Sequence, residues 1–302
     1  MRIAFMGTPD FAVLHLKSLY DDGHDIAGVF TQPDKPRNRG MKLGQCPVKG
    51  LAIERGTPVF QPDSLNDDVA RLIGELQCEL IAVVAYGKLL PAKILDIPPL
   101  GCINIHASLL PKLRGAAPIQ WAVLNGEKET GVTSMYISEE LDSGDIILAA
   151  RTEIGEDETA GELYGRLKGI GADLLSRTIT DISNGAAERV AQDSSLATYA
   201  PQLSKSISSI DWNKTAYEVK CKVRGLNPWP VATMVINGEI LKVFSVDISG
   251  SGPGKPPGGI TQTRSGGIEV ACADGTVTIG ELQAPGGKRM TAAEYLRGHR
   301  VQ

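Results

Sequence analysis

Along the first half of the chain, short runs that are apolar throughout alternate with stretches whose apolar residues recur at helical spacing. Residues 2–6 form the first such run, which closes on Gly7-Thr-Pro-Asp10. A helical pattern through Phe11, Leu14, Leu16 and Leu19 follows, and Asp-Asp-Gly-His at 21–24 breaks it. Residues 26–31 read as a second strand. Helical patterns recur around 48–54 and 69–76, and further strands are predicted at 80–85, 102–106 and 132–137. Strands apolar on both faces, separated by helices, predict an α/β fold: a Rossmann-like open, mostly parallel sheet covered on two sides, running to about residue 185.

The texture changes at Ser183-Asn-Gly185, and a polar connection takes residues 186–206. Beyond it the runs shorten. Residues 231–236 and 239–246 flank Asn237-Gly238, a pair that signals a two-residue hairpin. Residues 250–259 hold five Gly and three Pro and are expected to be a loop. Strands at 268–273 and 277–282 and a helix around 291–297 complete a small antiparallel barrel. The predicted organisation is a catalytic domain at 1–185, a linker at 186–206 and a C-terminal domain at 207–302.

Composition narrows the class. The 302 residues are 42% hydrophobic and 22% charged, which suits a folded chain of about two domains. The longest apolar run, 80–86, is far shorter than a membrane span requires, and the N-terminus has no secretory pattern. A soluble, cytoplasmic protein is expected. Five cysteines, an odd number with no C-x-x-C pair, and four histidines without ligand spacing argue against disulfides and against a protein-bound metal.

The net charge of −4 hides an asymmetry. Residues 205–302 carry 12 Lys+Arg against 8 Asp+Glu, while the rest carry 19 against 27. A second basic stretch, 31–50, holds Lys35, Arg37, Arg39, Lys42 and Lys49 against Asp34 alone. These are what a polyanion-binding face would show, with solvated surface charge as the alternative. The 31–50 connection is also longer than a compact α/β domain needs, and a mobile loop that orders on binding is expected.

The first strand's turn, Gly7-Thr-Pro-Asp-Phe-Ala12, carries one glycine of the three in a dinucleotide fingerprint, so a nicotinamide cofactor is poorly supported. Phosphate-loop and nucleophile-elbow motifs are missing from the sequence. The informative segment is Gly101-Cys-Ile-Asn104-Ile-His106-Ala-Ser108-Leu-Leu-Pro111-Lys-Leu-Arg-Gly115. Asn104 and His106 stand two apart on a strand and share a face at the sheet's carboxyl edge, where such folds bind ligands. Asp142, in Leu141-Asp-Ser-Gly144-Asp145, is a candidate third member. His106 and Asp142 have bland readings, a strand-end histidine satisfied by one backbone bond and an Asx turn, though an Asn on the same face as the His weighs against the first. Together the three suit acyl or formyl transfer without a covalent intermediate. Asn can donate to a developing oxyanion, His can donate or move protons, and Asp can orient the His.

With these residues in view, the chain closely resembles the methionyl-tRNA formyltransferase family, within the folate-dependent formyltransferase superfamily. The resemblance rests on Asn104-Ile-His106, Ser108-Leu-Leu-Pro111 and Leu141-Asp142-Ser-Gly144-Asp145. It extends through Gln32-Pro-Asp-Lys-Pro36, Val83-Val-Ala-Tyr86-Gly87 and Arg114-Gly-Ala-Ala-Pro-Ile-Gln120 to Leu203-Ser-Lys205, Ile210-Asp-Trp212 and Asn227-Pro-Trp-Pro230. The resemblance implies a Rossmann-like catalytic domain and an OB-like barrel that helps to hold tRNA. It implies 10-formyltetrahydrofolate as formyl donor and the α-amino group of methionyl initiator tRNA as acceptor; a monomer without a metal is expected. By the family pattern Asn104, His106 and Asp142 are catalytic. Ser108, Leu109, Leu110 and Pro111 lie at the folate site, Tyr86 and Gly87 line its pterin pocket, and Arg39 and Lys42 meet the tRNA. The family's basic loop reads closer to Ala-Gly-Arg-Gly-Lys-Lys, and Arg37, Asn38 and Met41 depart from it here. The Asn/His/Asp set alone would equally fit a glycinamide ribonucleotide formyltransferase or a formyltetrahydrofolate hydrolase. The C-terminal segments and the basic loop separate them. A non-catalytic RNA-binding protein on this scaffold would be marked by loss of one of the three, and all three are present.

Overall fold

The computed structural model describes residues 1–37, 42–251, 254–262 and 267–301. Its contacts divide the chain into two compact units. The first comprises Met1–Gly115, Thr130–Thr152 and Tyr164–Ala200; the second comprises Ala116–Glu129, Glu153–Leu163 and Pro201–Gln302.

The first unit begins with β1 (Arg2–Gly7), α1 (Phe11–Asp21), β2 (Asp25–Phe30) and the short β3 (Lys35–Arg37) and β4 (Lys42–Gly44). It continues with α2 (Pro47–Glu54), β5 (Val59–Phe60), α3 (Asp67–Glu75), β6 (Leu80–Val84), α4 (Ala92–Leu95) and β7 (Cys102–His106). After α5 (Pro118–Leu124), which lies in the second unit, come β8 (Glu129–Tyr136), β9 (Ile146–Glu153) and α6 (Ala160–Ser183). Seven strands form one sheet in the order β5-β2-β1-β6-β7-β8-β9. The first five of that order run parallel, and β8 runs antiparallel to β7. The open, mostly parallel sheet expected from the sequence is therefore present. β6 is buried at every position, as a strand with both faces covered must be. β9 alternates between covered and exposed positions, which is why no uninterrupted apolar run marks it.

The chain steps from β1 outward to β2 and β5, then crosses to β6 on the other side. The carboxyl ends of β1 and β6 thus flank the switch point where open α/β sheets form a crevice. Here the Gln32 side-chain amide donates to the Tyr86 carbonyl at 3.1 Å, and the Gln32 backbone N–H donates to the Thr8 hydroxyl at 3.0 Å.

The second unit adds α7 (Ala216–Gly225), β10 (Ala232–Ile236), β11 (Glu239–Ser251), β12 (Ile260–Gln262), β13 (Ile268–Ala271), β14 (Gly275–Gln283), β15 (Met290–Thr291) and α8 (Ala292–Leu296). Its sheet is antiparallel, in the order β10-β11-β14-β13-β12, with β15 also on β14. Ile236 pairs with Glu239 across Asn237-Gly238, both in the left-handed region at φ +51° and +82°, so the hairpin forms as the pair predicts. Three register shifts along β11 are bulges that bend the strand and coil the sheet into the small antiparallel half-barrel. The expected loop at 250–259 starts later than the sequence suggests. Gly250 and Ser251 still pair with Thr276 and Gly275, because the β14 ladder satisfies their backbone. α7 escapes the sequence pattern because its polar face dominates; a reciprocal Thr215–Glu218 capping box starts it. The core joins Val219, Val223 and Leu226 to Met234, Leu241, Val243 and Ile279, with Ala117, Trp121 and Leu124 packed in from far upstream. Among the described residues no helix is long and apolar enough to cross a membrane, and no cluster of His, Cys, Asp and Glu could hold a metal.

One buried group in the first unit carries a pH signature. His15 on α1 is fully buried; its Nδ1 lies 2.9 Å from the Phe11 carbonyl, which makes Nδ1–H the donor, and Nε2 has no partner. Burial pushes its pKa down to about 4. The unfolded chain binds that proton near pH 6.5, so the native state loses stability as pH falls from 6.5 to 4, by about 3 kcal/mol in all. In His15→Leu the drop in urea midpoint over that interval should shrink by the corresponding amount. An unchanged drop would place the acid sensitivity elsewhere.

Candidate active site

β7 carries the first two candidates. Asn104 lies between Val83 of β6 and Met135 of β8, and His106, two residues on, stands opposite Thr133. The alternation of a strand puts both side chains on one face. Asn104 is partly exposed, and its amide makes no hydrogen bond to another described residue. His106 is only 6% exposed. Its Nε2 lies 2.9 Å from the Leu113 carbonyl. A carbonyl can only accept, so Nε2 carries the proton and Nδ1 of the neutral ring holds a lone pair. That Nδ1 stands 3.6 Å from Asp142 Oδ2. A protonated His106 would have an acceptor beside each ring nitrogen.

Asp142 reaches this position by a detour. Because β8 is antiparallel to β7, its last residue, Tyr136, pairs with Ile103 and ends on the wrong side of His106. The connection 137–145 must therefore come back. Asp142 takes a left-handed conformation at φ +49°, which a short polar side chain tolerates. Two residues later a side chain is sterically barred: a Cβ on Gly144 would lie 1.9 Å from the Tyr136 carbonyl oxygen. Gly115, at φ +114°, donates its N–H to Asp142 Oδ2 at 2.8 Å and so selects the oxygen that faces His106. The structure thus brings Asn104, His106 and Asp142 together.

The other candidates are placed differently. Ser108 is fully buried, and its hydroxyl donates to the Lys112 carbonyl at 2.6 Å. Its own carbonyl accepts from the Thr133 hydroxyl at 2.6 Å, and that hydroxyl oxygen accepts from Leu110 N–H at 3.2 Å. These bonds staple the turn after β7; Leu110 is buried within it, and Leu109 and Pro111 are half-buried. The Tyr86 ring is 2% exposed and packs among Met6, Phe30 and Ile81, with its hydroxyl unpartnered and its pKa pushed up to about 12 by burial. Its backbone carbonyl is taken by the Gln32 amide, and the neighbouring Gly87 is exposed.

Arg39 lies outside the described residues. Lys42 opens β4 and pairs with Arg37 of β3. Lys49, counted above with the loop's positive charges, is committed inward. Its ammonium bonds to the Asp34 carboxylate and to Gln61 Oε1 at 2.6 Å, while Gln61 Nε2 donates to the Gln32 carbonyl at 2.8 Å. The two ends of the basic loop are pinned together there. The sequence pattern missed this role because Lys49 and Asp34 stand at opposite ends of the stretch and Gln61 lies beyond it. The Lys49 ammonium also holds the Asp34 carboxyl below the usual carboxylate range. Lys49→Met should therefore cost about 1 kcal/mol of stability, a typical value for a partly buried pair. It should also raise the Asp34 pKa in a carbon-13 NMR titration. Wild-type behaviour in both measurements would make Lys49 a free surface charge.

Comparisons with known proteins bear on this geometry. Residues 1–179 match the family described as formyl transferase, and residues 202–300 match the formyl transferase C-terminal domain. A methionyl-tRNA formyltransferase from Alkaliphilus oremlandii is 47% identical over all of this chain and 98% of its own, and one from Clostridioides difficile is 46% identical over the same shares. The solved N-formyltransferase from Helicobacter canadensis, in complex with folinic acid and dTDP-3-aminofucose, superposes with a TM-score of 0.71 at 19% identity, over 95% of this chain and 99% of that one. HypX from Aquifex aeolicus, in complex with tetrahydrofolic acid, gives a TM-score of 0.62 at 18% identity, over 98% of this chain and 47% of that one. At such identities the likeness concerns the fold. The full-length relatives and the matches to both domains establish the lineage: this chain belongs to the formyl transferase family, on the branch of the methionyl-tRNA formyltransferases.

Proposed function

We propose that this chain transfers the formyl group of 10-formyltetrahydrofolate to the α-amino group of methionyl initiator tRNA, for translation initiation. The observation that carries the reading is the identity of 46–47% along the whole length to relatives of that name. Asn104, His106 and Asp142 are the groups that would do the chemistry. The folate supplies an activated formyl group and a nitrogen that leaves.

As the amine adds to the formyl carbon, negative charge develops on the formyl oxygen. Asn104, whose amide has no other described partner, donates to that oxygen, and one such donor is worth about 3 kcal/mol of barrier. The amine must also shed a proton. His106 takes it at Nδ1, since Nε2–H is already given to the Leu113 carbonyl. The resulting imidazolium is bracketed by that carbonyl and by Asp142, whose facing oxygen Gly115 selects. The proton then passes to the departing folate nitrogen, leaving His106 neutral again.

In this proposal residues 1–185 hold the folate and the chemistry, with Gly87, Leu109, Leu110 and Pro111 at the folate and the backbone of Tyr86 and Ser108 beside it. The basic balance of 207–302 attracts the tRNA backbone without reading sequence, and Arg39 and Lys42 meet the acceptor end. The protein works as a cytoplasmic monomer and needs no metal.

The decisive assay is formyl transfer to methionyl initiator tRNA beside elongator tRNA. Asn104→Ala, His106→Ala and Asp142→Ala should each lower kcat/KM by about two orders of magnitude or more while the protein stays folded. A folded His106→Ala enzyme with near-normal rates would falsify the assignment. Arg39→Lys keeps the charge but loses the planar fork, so it should raise the KM for tRNA. Identical kinetics over a range of tRNA concentrations would leave the loop as solvated surface.

A further inference from the structure

The polar segment 190–200 is stitched to both loops of the site. Val190 and Ile146 exchange two backbone hydrogen bonds, at 2.8 and 3.0 Å, just past the Asp142 turn. Thr198 accepts from Arg114 N–H at 2.8 Å through its carbonyl and from Leu113 N–H at 2.9 Å through its hydroxyl. Ala200 N–H donates to the Arg114 carbonyl at 2.7 Å. These bonds hold the stretch whose Leu113 carbonyl receives His106 Nε2–H and whose Gly115 N–H reaches Asp142. The segment lies between the two family matches, which end at 179 and resume at 202.

One side chain in this strap joins the two loops. Gln192 Nε2 donates to the Asp142 carbonyl at 2.9 Å and to the Gly144 carbonyl at 2.8 Å. Its Oε1 accepts from Arg114 Nε at 3.2 Å and Nη2 at 2.7 Å, and that guanidinium is buried, 4% exposed. A guanidinium can only donate and carbonyls can only accept, so the link between them must do both. An amide of this length does; glutamate would lack the donors and lysine the acceptor.

We infer that Gln192 is a positioning residue for Asp142, and that residues 190–200 belong to the catalytic apparatus rather than to a passive linker; the inference rests on the catalytic reading of Asp142 above. Without the clamp the left-handed turn keeps the Gly115 bond to the carboxylate and the Ser138–Ser143 bond within the loop. Its backbone at 142 and 144 loses its side-chain anchor, however, and the carboxylate drifts from His106. Displacements of about 1 Å in a catalytic group can cost up to about 100-fold in rate.

The test is a double-mutant cycle on the full chain, read by steady-state formyl transfer. Gln192→Leu should lower kcat about 10- to 100-fold and leave the KM for folate and for tRNA within about twofold, since it touches neither substrate. If Gln192 acts through Asp142, Gln192→Leu combined with Asp142→Ala should be no slower than Asp142→Ala alone, within about twofold. A loss in the double variant that multiplies the two single losses overturns the inference, as does a wild-type kcat for Gln192→Leu. Should Gln192→Leu not fold, Gln192→Glu gives the same readout, because it keeps the acceptor for Arg114 and removes both donors to the turn. Wild-type rates from Asp142→Ala would overturn the catalytic reading itself and this inference with it, whereas an inactive Asp142→Ala beside an additive cycle overturns the inference alone.

Discussion

The carboxylate at the site owes its route to one reversal of direction. Within the seven-stranded sheet every strand up to β7 runs parallel and delivers its carboxyl end to one edge, so Asn104 and His106 arrive there by strand geometry alone. β8 runs the other way, and the carboxylate that faces His106 must be carried back by chain that no sheet ladder holds. Three local features make that return possible: a left-handed residue at 142, a position at 144 where any side chain would strike Tyr136, and an N–H from Gly115 that turns one carboxylate oxygen inward. A parallel β8 would need none of them.

The result is a site of two halves with different mechanical character. The β7 half is stiff, because Thr133 and Ser108 staple the turn that follows it and leave the Leu113 carbonyl as a fixed acceptor for the imidazole. The Asp142 half is a suspended loop whose geometry is borrowed from elsewhere. Loops on a rigid scaffold vary more freely than the elements they connect. Here the freedom is removed again by hydrogen bonds from a segment about 50 residues downstream.

Much of this was legible in the sequence, and for a physical reason. Strands buried on both faces, such as β1 and β6, announce themselves as unbroken apolar runs, and the β10–β11 turn is written in its Asn-Gly pair. The Asn104–His106 pair could be read because period two in a strand fixes which side chains share a face. What stayed hidden depends on partners far away in sequence. β9 shows one covered face only, and α7 presents more polar than apolar surface. Ala117 and Trp121 pack into a core whose other members begin about 80 residues later. The inward turn of the Ser108 hydroxyl, the burial of the Tyr86 ring and the commitment of Lys49 to Asp34 all reverse what residue type alone suggests. Gln192 sat in a stretch that composition marks as connection, and nothing local signals that it bridges residues 114 and 142.

The strap also sets an order in time. A chain emerging from the ribosome can pair all seven strands of the first sheet once residue 153 is out, and α6 can then cover it. The turn at 142 remains unclamped until residues 190–200 emerge behind that helix. Completing the sheet and clamping the turn are therefore separate events in the life of each new molecule, and a nascent chain stalled after α6 would have a complete sheet and an unclamped turn.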